Sequence, residues 1–338
     1  TDRVTVTAEA TLPTNFMKLF GIDSLTLNGQ TTVLRTNRTA ELVLVMDNTG
    51  SMRSGGKITA MKQLAMDLIG IVYGEDQVRD NLWVSVVPYT ATVNIGGQRT
   101  GWLQPGDRAV ADPGAWGATQ WKGCVEARPV PHDQDDATPA AIPFTSFYYA
   151  ADVDNDWDTD SPGIDERNEA QNNGTGPNLG CGPEITPLTD SRGIVEAAIQ
   201  EMQPWHRGGT LGNLGLAWGW RTISPAWRTT WAGEVPDGHP VDYDDPLIEK
   251  IVVIMTDGQN QVYDWPDHGP TGAGPRGSDY TAYGRLNDFG YTDKTAARRE
   301  VDSRFATTCS AMKAQGIELF TITFGSSPNS ETQALYRG

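Results

Sequence analysis

Three oxygen-bearing side chains stand at alternate positions in one short stretch: Asp47, Thr49 and Ser51, within Asp47-Asn48-Thr49-Gly50-Ser51-Met52. At that spacing a tight loop can turn all three toward one point, and Gly50 lets the loop bend without steric cost. One carboxylate and two hydroxyls are hard donors, suited to a small hard cation that keeps several waters, Mg²⁺ (or Mn²⁺) above all. Two distant segments carry matching groups, Arg207-Gly208-Gly209-Thr210 and Met255-Thr256-Asp257-Gly258. The competing explanation is local, because Asp, Ser and Thr cap helices and close turns routinely. Three separated matches at the ends of suitable elements favour a metal site of Asp47, Thr49, Ser51, Thr210 and Asp257.

Those residues need elements to bring them together. Leu42 to Met46 is apolar on both faces, as in a central parallel strand covered on both sides, and it delivers Asp47 to the strand's carboxyl end. Ile251 to Met255 repeats the pattern and delivers Asp257. Between them, Ile58, Met61, Leu64, Ala65, Leu68 and Val72 mark a helix over about 57–73. Leu82 to Pro88 reads as the next strand. Ile194, Ala197, Ala198 and Met202 mark another helix. Further helices are expected after Gly212, over about 295–315 and from Glu331, with a strand over 317–324. Strands alternating with helices predict an α/β fold, a doubly wound, mostly parallel sheet. Ahead of it, residues 1–38 form a separate β segment. Val4, Val6 and Ala8 alternate with polar residues, a short helix is expected over 13–21, and Asn28-Gly29 signals a hairpin between two short strands. Residues 39–338 make the main domain. Within it, 96–190 loses periodicity and is rich in Gly, Pro, Trp and Asp, which predicts an ordered insertion held by aromatic packing.

Composition narrows the function classes. The 338 residues carry 43 acidic against 26 basic side chains, a net charge of −17, which disfavours nucleic acid and anionic membrane as partners. No apolar run is long enough to span a bilayer. The chain opens on a strand-like alternation, Thr1-Asp2-Arg3-Val4-Thr5-Val6-Thr7, so an upstream segment is expected. Cys124 and Cys181 both lie in the insertion, where a disulfide would close a long loop in an oxidising compartment; the alternative is two reduced thiols. Cys309 falls on the stripe of Val301, Phe305 and Met312, as a half-buried thiol would.

A second metal candidate is the acidic run Asp152, Asp154, Asp156, Asp158, Asp160 and Asp165. Counted from Asp154, acids fall at the first, third, fifth, seventh and twelfth positions, as in a Ca²⁺ loop. Thr159 stands where that loop needs Gly, and Asp165 where it has Glu; a solvated acidic loop is the alternative. Enzymatic readings are weaker. A phosphotransfer loop wants a second acid where Thr49 stands, and no Gly-x-Ser-x-Gly turn occurs. His132, His206, His239 and His268 stand singly in loops without zinc spacing, as surface residues would.

The five-residue set resembles the metal-ion-dependent adhesion site of von Willebrand factor A domains, Asp-x-Ser-x-Ser completed by a distant Thr and Asp, with Thr49 in place of the first Ser. That resemblance implies a Mg²⁺ bound by Asp47, Thr49, Ser51, Thr210 and Asp257, with one coordination position left for a partner's carboxylate. Four stretches, 15–21, 47–52, 184–189 and 255–260, together resemble the TadG-like proteins of the bacterial tight-adherence (Tad/Flp) pilus system. This narrower resemblance implies an N-terminal membrane helix preceding the chain, a place outside the cytoplasmic membrane, and partners among other Tad minor pilins or a surface receptor. It also implies continuation beyond Gly338, with a further Cys for Cys309. A structural role in pilus assembly is the alternative function.

Overall fold

The computed structural model describes residues 2–13, 24–35, 39–151, 155, 176–205, 207–262, 278–325 and 330–337. The chain divides into two compact units, Thr1–Thr39 and Ala40–Gly338. In the first, β1 (Asp2–Pro13) and β2 (Ser24–Arg35) pair antiparallel from Asp2 opposite Arg35 to Pro13 opposite Ser24. The expected hairpin at Asn28-Gly29 is therefore not formed. Asn28 lies opposite Glu9 and Gly29 opposite Ala8, inside one continuous strand. A twelve-residue partner offers the backbone a longer ladder than two short arms folded on each other. The helix expected over 13–21 falls almost wholly outside the described residues; Pro13 itself ends β1.

The second unit is built on a five-stranded sheet in the order β11-β9-β3-β4-β7. Its strands are β3 (Thr39–Asp47), β4 (Leu82–Tyr89), β7 (Thr186–Thr189), β9 (Ile248–Thr256) and β11 (Glu318–Thr323). β3 runs parallel to β4 and β11 parallel to β9, while β7 closes one edge antiparallel to β4. Two-residue ladders join the loops: β5 (Val93–Asn94) with β6 (Cys124–Val125), and β8 (Gly209–Thr210) with β10 (Gln261–Val262).

Strand alternation sends side chains to two separate cores. Leu42, Leu44, Met46, Val84, Val86 and Met255 pack with α1 (Lys57–Tyr73) and α3 (Arg192–Gln200). Val43, Val45, Val87, Val252 and Ile254 pack with α4 (Gly212–Ile223) and α5 (Lys294–Ala314) on the other face. The fold is thus the doubly wound, mostly parallel α/β sheet that the apolar runs predict. α4 lies close on the sheet because Gly215 carries no side chain; a Cβ there would stand 2.5 Å from Tyr89 Cδ1. A short α2 (Arg108–Ala111) and α6 (Ser330–Arg337) are two further helices.

The described parts of 96–190 are ordered around α4. Trp102, Phe144, Trp218, Trp227 and Trp231 stack edge to face and face to face. Arginines reinforce the cluster: Arg99 sits over Trp231 and Arg128 over Phe144. The insertion is also stapled, since Cys124 and Cys181 form a disulfide and both are fully buried. Cys309 remains a free thiol, and burial pushes it up to about 11, so it is little ionised at neutral pH.

One histidine corrects the expectation of surface residues. His239 is buried, stacks on Trp83 with ring centroids 3.8 Å apart, and pairs through Nδ1 with Glu41 Oε1 at 2.7 Å. His132 is half-buried against Asp135. His206 and His268 lie outside the described residues. Glu41, wholly buried near the start of β3, also accepts from the Val241 amide at 2.8 Å and from the Lys250 ammonium. A buried carboxylate that lies outside any periodic pattern had no sequence signal beyond its place beside an apolar run.

Two stability outcomes follow. Replacing Glu41 with Ala leaves the Lys250 ammonium buried without its carboxylate and should cost about 3–5 kcal/mol in urea unfolding. Replacing Cys181 with Ala opens a loop with a sequence separation of 57. Loop-closure entropy sets that loss at about 4 kcal/mol, and the insertion should become sensitive to limited proteolysis; an unchanged digest would show that aromatic packing alone holds it.

Candidate metal centre

β3 has no polar side chain between Glu41 and its last residue, Asp47. β9, its neighbour, ends on Thr256, and Asp257 follows directly. The strand that succeeds β3 in sequence lies on its other side, so the chain leaves this edge in opposite directions from β3. In open α/β sheets such a switch point, at the carboxyl ends of the strands, is where ligands sit.

The two loops meet there in a continuous run of close oxygen contacts. Asp47 is fully buried; its Oδ1 accepts from the Thr49 amide at 2.8 Å and the Thr49 hydroxyl at 2.7 Å. Its Oδ2 accepts from the Thr256 hydroxyl at 2.7 Å. The Thr49 and Ser51 hydroxyls are 3.1 Å apart, and Ser51 Oγ donates to Asp257 Oδ1 at 2.9 Å. The loop is held from below. Asn48 donates its amide to the Tyr89 carbonyl at 2.9 Å, and its carbonyl accepts from the Trp205 amide at 2.7 Å. Met52 is fully buried beneath the turn.

Thr210 comes to the same edge by a different route. It is buried and lies opposite Gln261 in the β8–β10 ladder, just beyond Asp257 in the chain. Gly208 has a positive φ of 89°, and a Cβ there would stand 2.3 Å from Ala91 Cβ, so only glycine fits the turn that leads to Thr210. After it, the Leu211 amide donates to the Thr90 carbonyl and the Gly212 amide to Asn260 Oδ1. Among the described residues, no hydrogen bond joins Thr210 to Asp47, Thr49, Ser51 or Asp257. The acidic run from Asp152 through Asp154, Asp156, Asp158 and Asp160 to Asp165 lies outside the described residues.

Three residues at the site escaped the sequence reading. Thr256 holds Asp47 from the neighbouring strand. Lys57, the first residue of α1, donates to Asp257 Oδ2 at 2.8 Å and to the Ser51 carbonyl at 3.4 Å. Tyr89 ends β4 beside Asp47, and its hydroxyl is buried without a hydrogen-bond partner among the described residues. Thr256 precedes a residue already singled out and so had a weak signal; Lys57 and Tyr89 depend on which strands and helices become neighbours.

Burial first, and then the Asp257 carboxylate, pushes Asp47 up to about 6, against hydrogen bonds from Thr49 and Thr256 that pull it down. Burial and the nearby Asp47 charge likewise raise Tyr89 well above its ordinary value. A divalent cation would relieve both carboxylates. The donors suit one: two carboxylates and two hydroxyls, all hard oxygen, with no sulfur or imidazole. Among the described residues, no three His, Cys, Asp or Glu side chains converge as a metal site, so an ion here would need the hydroxyls as well as the two carboxylates. Asp47, Thr49, Ser51 and Asp257 are the residues that would hold the ion, with Thr210 supplied from the adjoining loop.

Comparison with known proteins finds no matching family model and no matching curated protein. Solved structures give distant likenesses. A three-domain N-terminal fragment of the type V pili tip protein Mfa5 from Porphyromonas gingivalis is 10% identical with a TM-score of 0.32, over 80% of this chain and 29% of that one. The pilus adhesin SpaC from Lactobacillus rhamnosus GG is 11% identical with a TM-score of 0.36, over 85% of this chain and 24% of that one. A von Willebrand factor type A protein from Catenulispora acidiphila is 11% identical with a TM-score of 0.30, over 99% of this chain and 43% of that one. The chain therefore spans less than half the length of each.

The raised Asp47 carboxyl fixes a sign for pH. The folded protein, free of divalent ions, takes up a proton between about pH 4 and 6 that the unfolded chain does not. This contribution stabilises at low pH and is lost as pH rises through 6, by about 3 kcal/mol. In chelator-treated protein, the stability of wild type relative to Asp47→Asn should therefore fall between pH 4 and 7. Mg²⁺ should raise the wild-type melting temperature at pH 7.5 much more than at pH 5. Equal shifts at both would mean that Asp47 does not meet the ion.

Proposed function

We propose that the chain is an extracytoplasmic protein-binding module that works through a divalent cation. Asp47, Thr49, Ser51, Thr210 and Asp257 would hold Mg²⁺ (or Mn²⁺), and a carboxylate from a partner protein would take the remaining position. The observation that carries this is the run of closely spaced oxygens from Thr256 through Asp47, Thr49 and Ser51 to Asp257, at the switch point of the sheet. A carboxylate raised first by burial and then by a second carboxylate is a poor way to stabilise a fold and a good way to bind a cation. Cation and partner would then bind cooperatively, each raising the affinity of the other. The likeness of four short segments to TadG-like sequences supports a place at a Tad-type pilus or cell surface, with minor pilins or a surface receptor as partners. The Cys124–Cys181 disulfide agrees with an oxidising compartment. Among the described residues, no helix is long and apolar enough to cross a membrane.

A second reading makes the domain a packing unit in pilus assembly, with the site only stabilising it. The Lys57–Asp257 ion pair favours this, because it already balances one of the two carboxylates. We read neither role as enzymatic; turnover of an ester, glycoside or phosphate that Asp47→Ala removes would overturn that.

Calorimetric titration with Mg²⁺ and Mn²⁺ on wild type and Asp47→Ala tests the reading. Saturable binding in wild type, lost in the variant, is the expected result. Asp257→Ala should keep the fold by circular dichroism, lose the metal, and abolish binding to cells or pilus components. Retained assembly in that variant would favour the packing role, and absence of metal binding by wild type even at high divalent concentration would overturn the cation-dependent one.

A further inference from the structure

Lys57 stands in an unfavourable place for a lysine. It opens α1, where the exposed amides make the helix end positive, and the first turn holds no acidic residue to offset it. Gly55 and Gly56 lead into it with positive φ angles of 65° and 71°, and no side chain caps the helix. The side chain does not extend into water. Its stem crosses the carboxyl edge of the sheet against Gly325, where a Cβ would come within 3.1 Å of Lys57 Cε. The ammonium ends 2.8 Å from Asp257 Oδ2 and 3.4 Å from the Ser51 carbonyl. Asp257 is 8% exposed and Lys57 23%, so this pair is shielded more than a surface ion pair.

The other Asp257 oxygen, Oδ1, accepts from Ser51 and belongs to the run of proposed metal donors. Lys57 and a divalent ion would therefore draw on the same carboxylate from opposite sides. We propose that Lys57 is a built-in competitor cation that sets the affinity of the site. Its charge balances Asp257 when no divalent ion is bound, and it opposes an arriving ion both by repulsion and by holding Asp257. Binding then requires either a high divalent concentration or the added charge of a partner's carboxylate, which makes the bare site weak and the partner-bound site strong. This rests on the metal-site reading above and adds to it a residue that restrains the site.

The test is calorimetric titration of the full chain with Mg²⁺ alone, at fixed pH and ionic strength, on wild type, Lys57→Met, Lys57→Gln and Lys57→Arg. Removing one positive charge beside a divalent ion should tighten binding about tenfold or more in the Met and Gln variants. Lys57→Arg keeps the charge and should bind as wild type does. In chelator, the Met and Gln variants should melt below wild type, and Mg²⁺ should reverse the order. Either uncharged variant suffices if the other fails to fold. Wild-type binding with equal or weaker affinity in the uncharged variants would overturn the competitor role and leave the metal site standing. Absence of binding in every protein would overturn the metal site, and the competitor role with it.

Discussion

The arrangement depends on placing a carboxylate at the end of a strand that is covered on both faces. Asp47 has no access to solvent, and the residues before it in β3 are apolar and packed into two cores. A lone carboxylate there would be expensive to ionise. The surrounding hydrogen bonds reduce the cost without removing it, since burial and Asp257 still raise the group to about 6. Everything at this edge can be read as a response to that cost. Thr49 supplies an amide and a hydroxyl, Thr256 supplies a second hydroxyl, and the turn after Asp47 is anchored by Met52 and by Trp205.

The topology explains why the second carboxylate is at hand. β4 follows β3 in sequence and lies beside it, while β9 arrives much later and takes the other side. The loops after β3 and β9 are therefore driven together by strand pairing alone, whatever fills the sequence between them. This is why the 96–190 insertion does not displace the site. It packs instead over α4 through Trp102, Phe144 and Trp218, and its disulfide closes it on itself. The Gly208–Gly209 turn and the β8–β10 ladder then bring Thr210 to the loop after Asp257 rather than to the Asp47 turn directly.

Much of this was legible because it is local. The apolar runs ending on Asp47 and Asp257, the stripe from Ile58 to Val72 and the glycine-led turn before α4 each carry their signal in adjacent residues. What was misread or missed depends on neighbours distant in sequence. Asn28-Gly29 has the chemistry of a turn, yet a long partner strand gave its flanks a better ladder. His239 looks like a loop residue until Glu41 and Trp83 are placed beside it. Lys57 looks like an ordinary helix lysine until α1 is docked over the β9 edge. Tyr89 gives no sign in sequence that its hydroxyl will be buried beside Asp47.

β3 carries a second buried carboxylate, and the contrast between its two ends separates structure from function. Glu41, near the start, is closed on every side: His239, the Val241 amide and the Lys250 ammonium share its two oxygens, and Lys250 also caps the Ile223 carbonyl. That pairing is complete and inward, and leaves no donor facing solvent. Asp47, at the other end, receives hydroxyls and one amide but, among the described residues, no cation of its own. The Lys57 ammonium at the same edge serves Asp257 instead. Fold stability alone would favour the first solution at both ends, because a buried charge is tolerated best with a full complement of partners. A strand that closes one carboxylate and leaves the other short of positive charge, at the edge where two loops converge, has the asymmetry expected when one end anchors the sheet and the other binds a cation.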